Sequence, residues 1–131
     1  MSITADNAVY VYDDGVIVLA DTYWRRVHTV TYASEPCVLT VSAVDNDVPG
    51  GILAETSTGV LSDTSWKCTM VFANNWHHPS FDDSAWDNAI VIGDQGTHPW
   101  PVLTDISTEA KWIWANVPST VGTAYCRKRL C

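Results

Sequence analysis

The sequence predicts an all-β fold of the β-sandwich or jelly-roll type. Short segments rich in β-branched and aromatic residues recur between clusters of turn-forming residues, and none of them keeps a helical period. The clearest local signal is a hairpin, in which Asp13-Asp14-Gly15 joins segments 8–12 and 16–20. About eight short strands at this spacing are typical of a sandwich or jelly roll.

The remaining strands are predicted from the same alternation of apolar and polar residues. They are 27–32, 37–44, 52–55, 66–72, 89–92, 111–114 and 123–130. Segment 74–86 is richer in polar and aromatic residues, and we expect a loop there with one helical turn capped by Asp83 or Ser84.

Length and charge limit the classes of function. A chain of 131 residues fits one domain, residues 1–131. Its 7 basic and 15 acidic residues leave a net charge of −8, which disfavours nucleic acid as a partner. The basic run Arg127, Lys128 and Arg129 is interpreted as ordinary strand charges. The acidic excess suits hard cations such as calcium, and equally plain solubility. No apolar run approaches the roughly 20 residues of a membrane span.

The four cysteines predict two disulfides and an oxidising compartment. Four cysteines allow three pairings. We favour Cys37 with Cys131 and Cys68 with Cys126, because Cys37 and Cys68 would then both bond to the C-terminal strand. Secretion to the extracellular space follows from this interpretation. Because residues 1–6 lack signal-peptide character, we expect an upstream signal in the native product.

Five blocks of sequence, taken in order, carry a family resemblance. They are 5–15, 62–68, 81–86 (Phe-Asp-Asp-Ser-Ala-Trp), 111–115 and 124–128. Together they resemble the galactose-binding-like β-sandwich modules of bacterial α-L-rhamnosidases, other glycosidases and invertebrate extracellular proteins. The resemblance implies a jelly roll in which Trp86 fills the core and Asp82 and Asp83 cap a turn rather than act as a catalytic pair.

The resemblance also implies a calcium and sugar site. Asp6 and Asn7 match an Asp-Asn pair that, in rhamnose-binding members, joins a polar loop around calcium. The implied metal ligands are Asp6, Asn7, Asp45, Asn46, Asp47 and the Pro49 carbonyl. The implied carbohydrate contacts are Asp6, Asn7, Trp24, Arg25, Asp45 and Asn46. The alternative for 45–47 is a turn whose side chains bond their own backbone.

Six of the seven tryptophans divide into two expected groups. Trp66, Trp86 and Trp112 are expected in the core. Trp24, Trp76 and Trp100 lie among polar or turn residues, and exposed rings of this kind suit a sugar face or a protein partner.

The leading hypothesis is a secreted, lectin-like module that binds carbohydrate with calcium and is not an enzyme. An alternative is a structural or adhesive extracellular-matrix domain that contacts other proteins. A third is a hydrolase fragment whose catalytic domain lies elsewhere.

Overall fold

The chain folds into two antiparallel five-stranded sheets packed face to face, in a computed structural model that describes residues 1–21, 26–32, 34–46, 50–97, 100–116 and 121–131. The strands are β1 Ser2–Asp6, β2 Ala8–Asp13, β3 Val16–Asp21, β4 His28–Thr29, β5 Val38–Asp45, β6 Gly51–Glu55, β7 Lys67–Thr69, β8 Ile90–Asp94, β9 Lys111–Trp114 and β10 Gly122–Arg129. One sheet has the order β4-β1-β6-β9-β8 and the other β3-β2-β5-β10-β7. The predicted all-β sandwich is confirmed.

The predicted hairpin is confirmed as β2 and β3, with Asp14 and Gly15 at positive φ in the turn. Strand β1 was not predicted. It lies between β4 and β6, and Ile3, Thr4 and Ala5 are all buried, so its short sequence carries no alternation of exposed and buried positions.

Two predicted strands are shorter than expected. The strand predicted at 66–72 is only Lys67–Thr69, because Val71 and Phe72 lie 72% and 60% exposed beyond the end of the sheet. The strand predicted at 27–32 is reduced to His28–Thr29 at a sheet edge.

The first sheet carries apolar packing on both faces. Ile52 of β6 and Ile113 of β9 belong to the main core between the sheets. Their neighbours Leu53 and Trp112 belong to a second cluster with Ile106, because successive side chains of a strand point to opposite faces. Segment 100–110 therefore covers the outer face of this sheet.

The tryptophan prediction is right in part, and the second cluster accounts for the burial of Trp100 and Trp112. Trp66 and Trp112 are fully buried, as expected. Trp100 was expected to be exposed, but it is 3% exposed and stacks on Trp112 with ring centroids 4.3 Å apart. Trp86 was expected in the core and is only half-buried. Trp24 lies outside the described residues.

A buried arginine anchors the segment before β8, so the interpretation of the basic run as ordinary strand charges is wrong for Arg127. It is 1% exposed and donates from Nε to Asp83 Oδ2 at 2.8 Å. Its two Nη atoms donate to the backbone carbonyls of Trp76, His78 and Phe81. These carbonyls lie in turns outside any strand ladder, and the guanidinium supplies the donors that they need.

The same anchor buries Trp76, which the sequence had suggested would be exposed. Trp76 is 4% exposed, and its ring meets those of Tyr12 and Tyr125 edge to face at 5.5 and 5.0 Å. Segment 74–86 forms successive turns rather than the expected helical turn. Asp82, not Asp83 or Ser84, supplies the capping carboxylate by accepting the Ser84 N–H at 3.0 Å.

Both predicted disulfides are present. Cys37 is bonded to Cys131, and Cys68 to Cys126, across 94 and 58 residues of sequence. Cys68 and Cys126 are direct partners in the register of β7 and β10. Two disulfides in a chain of this size are typical of extracellular proteins. No helix among the described residues is long and apolar enough to cross a membrane.

Candidate functional site

Four of the predicted site residues meet at one rim of the sandwich, where strands of both sheets end. Asp6 ends β1 in one sheet and pairs with Gly51 at the start of β6. Asp45 ends β5 in the other sheet. A Cβ built on Gly50 would lie 3.0 Å from the Asp45 Cβ, so the Gly50-Gly51 pair lies between the two acids. We call this group, Asp6, Asn7, Asp45, Asn46, Gly50 and Gly51, the rim cradle.

Two hydrogen bonds connect the loops that carry these residues. The Asn46 backbone N–H donates to Asn7 Oδ1 at 2.8 Å, and the Asn7 N–H donates to the Val44 carbonyl at 2.7 Å. The Asp6–Asn7 peptide bond is cis. The side chain of Asn7 thus fixes the backbone where β5 ends, which brings together residues 39 positions apart in the sequence.

The two aspartates of the rim cradle are buried. Asp6 is 7% exposed and Asp45 is 1% exposed. Asp6 Oδ2 accepts the indole N–H of Trp100 at 3.0 Å. A buried carboxylate is costly unless hydrogen bonds or a cation compensate its charge, and at Asp6 this bond provides part of the compensation.

The glycines let three tryptophans close around the cradle. A Cβ on Gly50 would lie 2.8 Å from Trp114 Cζ2, and one on Gly51 would lie 2.7 Å from Trp112 Cε3 and 3.0 Å from Trp100 Cζ2. Any larger residue at either position would push these rings or the backbone away.

The chemistry of the cradle favours a hard cation. Its side-chain oxygens are carboxylate and amide oxygens, the kinds that calcium takes six to eight of. Asn7 Oδ1 keeps a lone pair after accepting from Asn46. The oxygen set therefore fits calcium. The described part of the chain contains no group of three or more His, Cys, Asp or Glu side chains placed to hold a metal ion.

Four predicted site residues lie outside the described residues, namely Trp24, Arg25, Asp47 and Pro49. The structure brings together the other four, Asp6, Asn7, Asp45 and Asn46. Sequence reasoning missed Trp100 as a partner of Asp6, because 94 residues separate them and no spacing rule links them. The adjacent glycines Gly50 and Gly51 are a signal of close backbone packing that the sequence analysis did not use.

A comparison with known proteins relates the chain to a glycoside hydrolase. The chain is 33% identical over 132 residues to an α-L-rhamnosidase of Streptomyces avermitilis. The similarity covers 86% of this chain but 13% of that enzyme, so the chain spans a small part of the relative's length. No protein-family model matches the chain. No solved structure matches it either.

Proposed function

We propose that the chain is a secreted, non-catalytic carbohydrate-binding module in which calcium at the rim cradle takes part in holding the sugar. The proposal rests on the contact between the Asp6-Asn7 loop and the Asp45-Asn46 loop. The Asn46 N–H donates a hydrogen bond of 2.8 Å to Asn7 Oδ1 and so holds the two loops together. Two loops from different sheets bring carboxylate and amide side chains together at one rim.

The proposed ligand shell uses both loops. Asp6, Asn7, Asp45 and Asn46 would contribute side-chain oxygens, and Asp47 with the Pro49 carbonyl would add to them. A sugar's vicinal hydroxyls would complete the shell of six to eight oxygens, which would couple sugar binding to the metal. Trp24 and Arg25 would contact the sugar directly.

The relative supports both the ligand class and the non-catalytic role. Its name identifies it as an α-L-rhamnosidase, so L-rhamnose is the first sugar to test. A segment that matches 13% of such an enzyme is better suited to holding the substrate near a catalytic domain than to hydrolysis. The two disulfides support secretion.

Calcium titration of chelator-treated protein by isothermal calorimetry tests the metal site. Asp45→Asn and Asp6→Asn keep side-chain shape and remove one charge each, and we expect each to weaken calcium binding at least about tenfold. Asp82→Asn is the matched control, because Asp82 is an exposed carboxylate in a different segment. Equal calcium affinity in all four proteins would contradict the proposal.

Sugar binding is tested with the same proteins on a glycan array, in calcium and in chelator. We expect signals that chelation abolishes and that Asp45→Asn weakens. Release of nitrophenol from an aryl α-L-rhamnoside by this chain alone would overturn the non-catalytic role.

One observation favours a second candidate, an adhesive domain that contacts other proteins. Edge strand β3 exposes three consecutive apolar side chains, Val16, Ile17 and Val18, at 67%, 53% and 38%. An edge with unpaired backbone groups and apolar side chains can pair with another chain. Concentration-dependent association, lost in Ile17→Lys, together with no glycan signal, would favour this candidate.

A further inference from the structure

A second cleft opens at the end of the sandwich that carries the rim cradle. It has a volume of about 270 Å³ and is lined by the segment after β7, by residues 85–87 and by the end of β9. Ligand pockets for drug-sized molecules run from about 300 to 1,000 Å³, so this cleft suits a smaller ligand such as one sugar ring.

Residues that contact the rim cradle are adjacent to residues that line the cleft. Asp45 pairs with Gly122 across β5 and β10, and a Cβ on Gly122 would lie 3.4 Å from Met70 Cε, in the wall of the cleft. On the other side, Trp114 contacts Gly50, and Asn116, two residues further along, lines the cleft. One residue, Gly122, therefore separates Asp45 of the cradle from Met70 in the wall of the cleft.

Trp86 provides an aromatic surface in this cleft. Its ring is half-buried and is braced by Phe81, with ring centroids 5.5 Å apart and planes at 60°. Phe81 in turn lies under the Arg127 guanidinium, which is 5.2 Å from its ring centroid. The Trp86 indole N–H makes no hydrogen bond to any described residue. Phe81 thus fixes the position of the Trp86 ring, and the indole N–H can donate a hydrogen bond to a ligand.

Polar side chains stand beside this ring. The Asp87 carboxylate and the Asn116 amide are exposed, and neither is hydrogen-bonded to another described side chain or backbone group. The wall between them is apolar, formed by Met70 and by Cys68 of the second disulfide. An aromatic face next to a carboxylate and an amide matches a pyranose, which has an apolar C–H face and a polar edge of hydroxyls.

We propose that the cleft at Trp86, Asp87 and Asn116 is a second subsite that binds a further, neutral sugar ring of the glycan held at the rim cradle. This inference rests on the proposed function. The ring would stack on Trp86, and its hydroxyls would donate to Asp87 and Asn116. The Asp87 charge and the net charge of −8 select against anionic sugars.

Calorimetric titration of the whole chain in calcium with two probes tests the subsite. The probes are methyl α-L-rhamnopyranoside and an α-linked rhamnose disaccharide. We expect the disaccharide to bind about five- to tenfold more tightly than the monosaccharide in the wild type. Trp86→Ala and Asn116→Ala should remove most of this difference and leave monosaccharide affinity unchanged, and Trp86→Phe should keep part of it.

Two controls keep the result interpretable. Phe72→Ala removes a ring that is 60% exposed and does not line the cleft, so both affinities should stay the same. Asn116→Ala changes an exposed side chain and leaves the core intact, so it tests the subsite even where Trp86→Ala lowers stability.

The outcomes separate the two proposals. Equal affinities for both probes, unchanged in the Trp86 and Asn116 variants, would overturn the second subsite and leave the rim cradle standing. Binding of neither probe, with or without calcium, would overturn the proposed function and the subsite with it. A shift of the Trp86 indole N–H resonance with the disaccharide but not with the monosaccharide would support the subsite directly.

Discussion

Arg127 and Asp83 form a largely buried ion pair, with Nε and Oδ2 2.8 Å apart and the arginine side chain fully enclosed. The pair attaches segment 76–83 to the centre of the second sheet and, through Phe81, positions the Trp86 ring. A surface pair of nearly the same length, Lys111 with Asp94 at 2.7 Å, has side chains 36% and 69% exposed. Both pairs join an aspartate to a basic side chain, but their solvent access is very different.

Asp83→Asn should therefore destabilise the protein by about 3 kcal/mol, because it leaves the Arg127 charge enclosed without its carboxylate. Asp94→Asn is the matched control and should cost less than about 1 kcal/mol, since water screens the exposed pair. Urea denaturation of the two variants and the wild type measures both free energies of unfolding. Similar losses in the two variants would show that burial does not set the strength of these pairs.

The disulfides should differ in how readily they are reduced. Cys37 and Cys131 are exposed, whereas Cys68 and Cys126 are 2% and 0% exposed in the main core. Mild reductant under native conditions should open the Cys37–Cys131 bond first, because a thiolate must reach the sulfur that it attacks. Alkylation followed by mass spectrometry of the peptides identifies which pair opened.

The stabilisation by the exposed disulfide can be measured separately. Replacing Cys37 and Cys131 together by serine should lower the free energy of unfolding by about 2 to 4 kcal/mol, since the bond closes a long loop in the unfolded chain. A loss well below that range would mean that the unfolded state gains little freedom when the bond is absent.

The fold class could be predicted because the alternation of apolar and polar residues is a local pattern. The number of cysteines predicted two disulfides, and their pairing across 94 and 58 residues was favoured only because it bonds Cys37 and Cys68 to the C-terminal strand. The burial of Arg127, Trp76 and Trp100 could not be predicted in the same way. Each of these residues is surrounded by polar or turn residues in sequence, and each is buried by a partner at least 12 residues away, such as Trp112 for Trp100. The polar neighbours in sequence therefore indicate that these side chains are exposed. Their burial depends on contacts with distant residues, which the local sequence does not show.

The candidate site was predicted only in part, for a similar reason. The family resemblance, not a predicted strand end, selected Asp6-Asn7 and Asp45-Asn46, and the register of β1 with β6 brings Asp6 beside Gly51. The Trp86 cleft could not be predicted, because the resemblance placed Trp86 in the core. Its exposure depends on how Phe81 and the end of β9 pack around it.

Asp13 should make the stability of the protein depend on acidic pH. Partial burial, and then the neighbouring Asp14 charge, raise the pKa of Asp13 above its ordinary value of 3.8. A raised pKa stabilises the fold fully below pH 3.8, and that contribution is lost as the pH rises through the folded pKa. Asp13→Asn should therefore raise the melting temperature at pH 7 and change it little at pH 3.

Asp82→Asn should show the opposite dependence. The Ser84 backbone N–H, which Asp82 Oδ1 accepts, and then the Ser84 side chain lower the pKa of Asp82. This contribution is present above pH 3.8 and is lost as the pH falls through the lower folded pKa. The variant should melt slightly below the wild type at pH 7 and together with it at strongly acidic pH. If the difference in melting temperature between each variant and the wild type is the same at every pH in this range, these pKa assignments are wrong.

Calcium should stabilise the folded protein through the rim cradle, because a ligand that binds only the native state adds RT ln(1 + [L]/Kd) to the free energy of unfolding. At a calcium concentration of 100 times Kd the gain is about 2.7 kcal/mol. Asp45→Asn, with calcium binding at least about tenfold weaker, should lose about half of this gain or more, and Asp82→Asn should keep it. Thermal melts of each protein in calcium and in chelator measure the stabilisation that calcium provides.

This comparison separates a metal-binding role of Asp45 from a structural role. Because Asp45 is only 1% exposed, we expect Asp45→Asn to lower the melting temperature somewhat in chelator as well. A variant that melts lower by the same amount in both conditions would assign Asp45 to the fold alone.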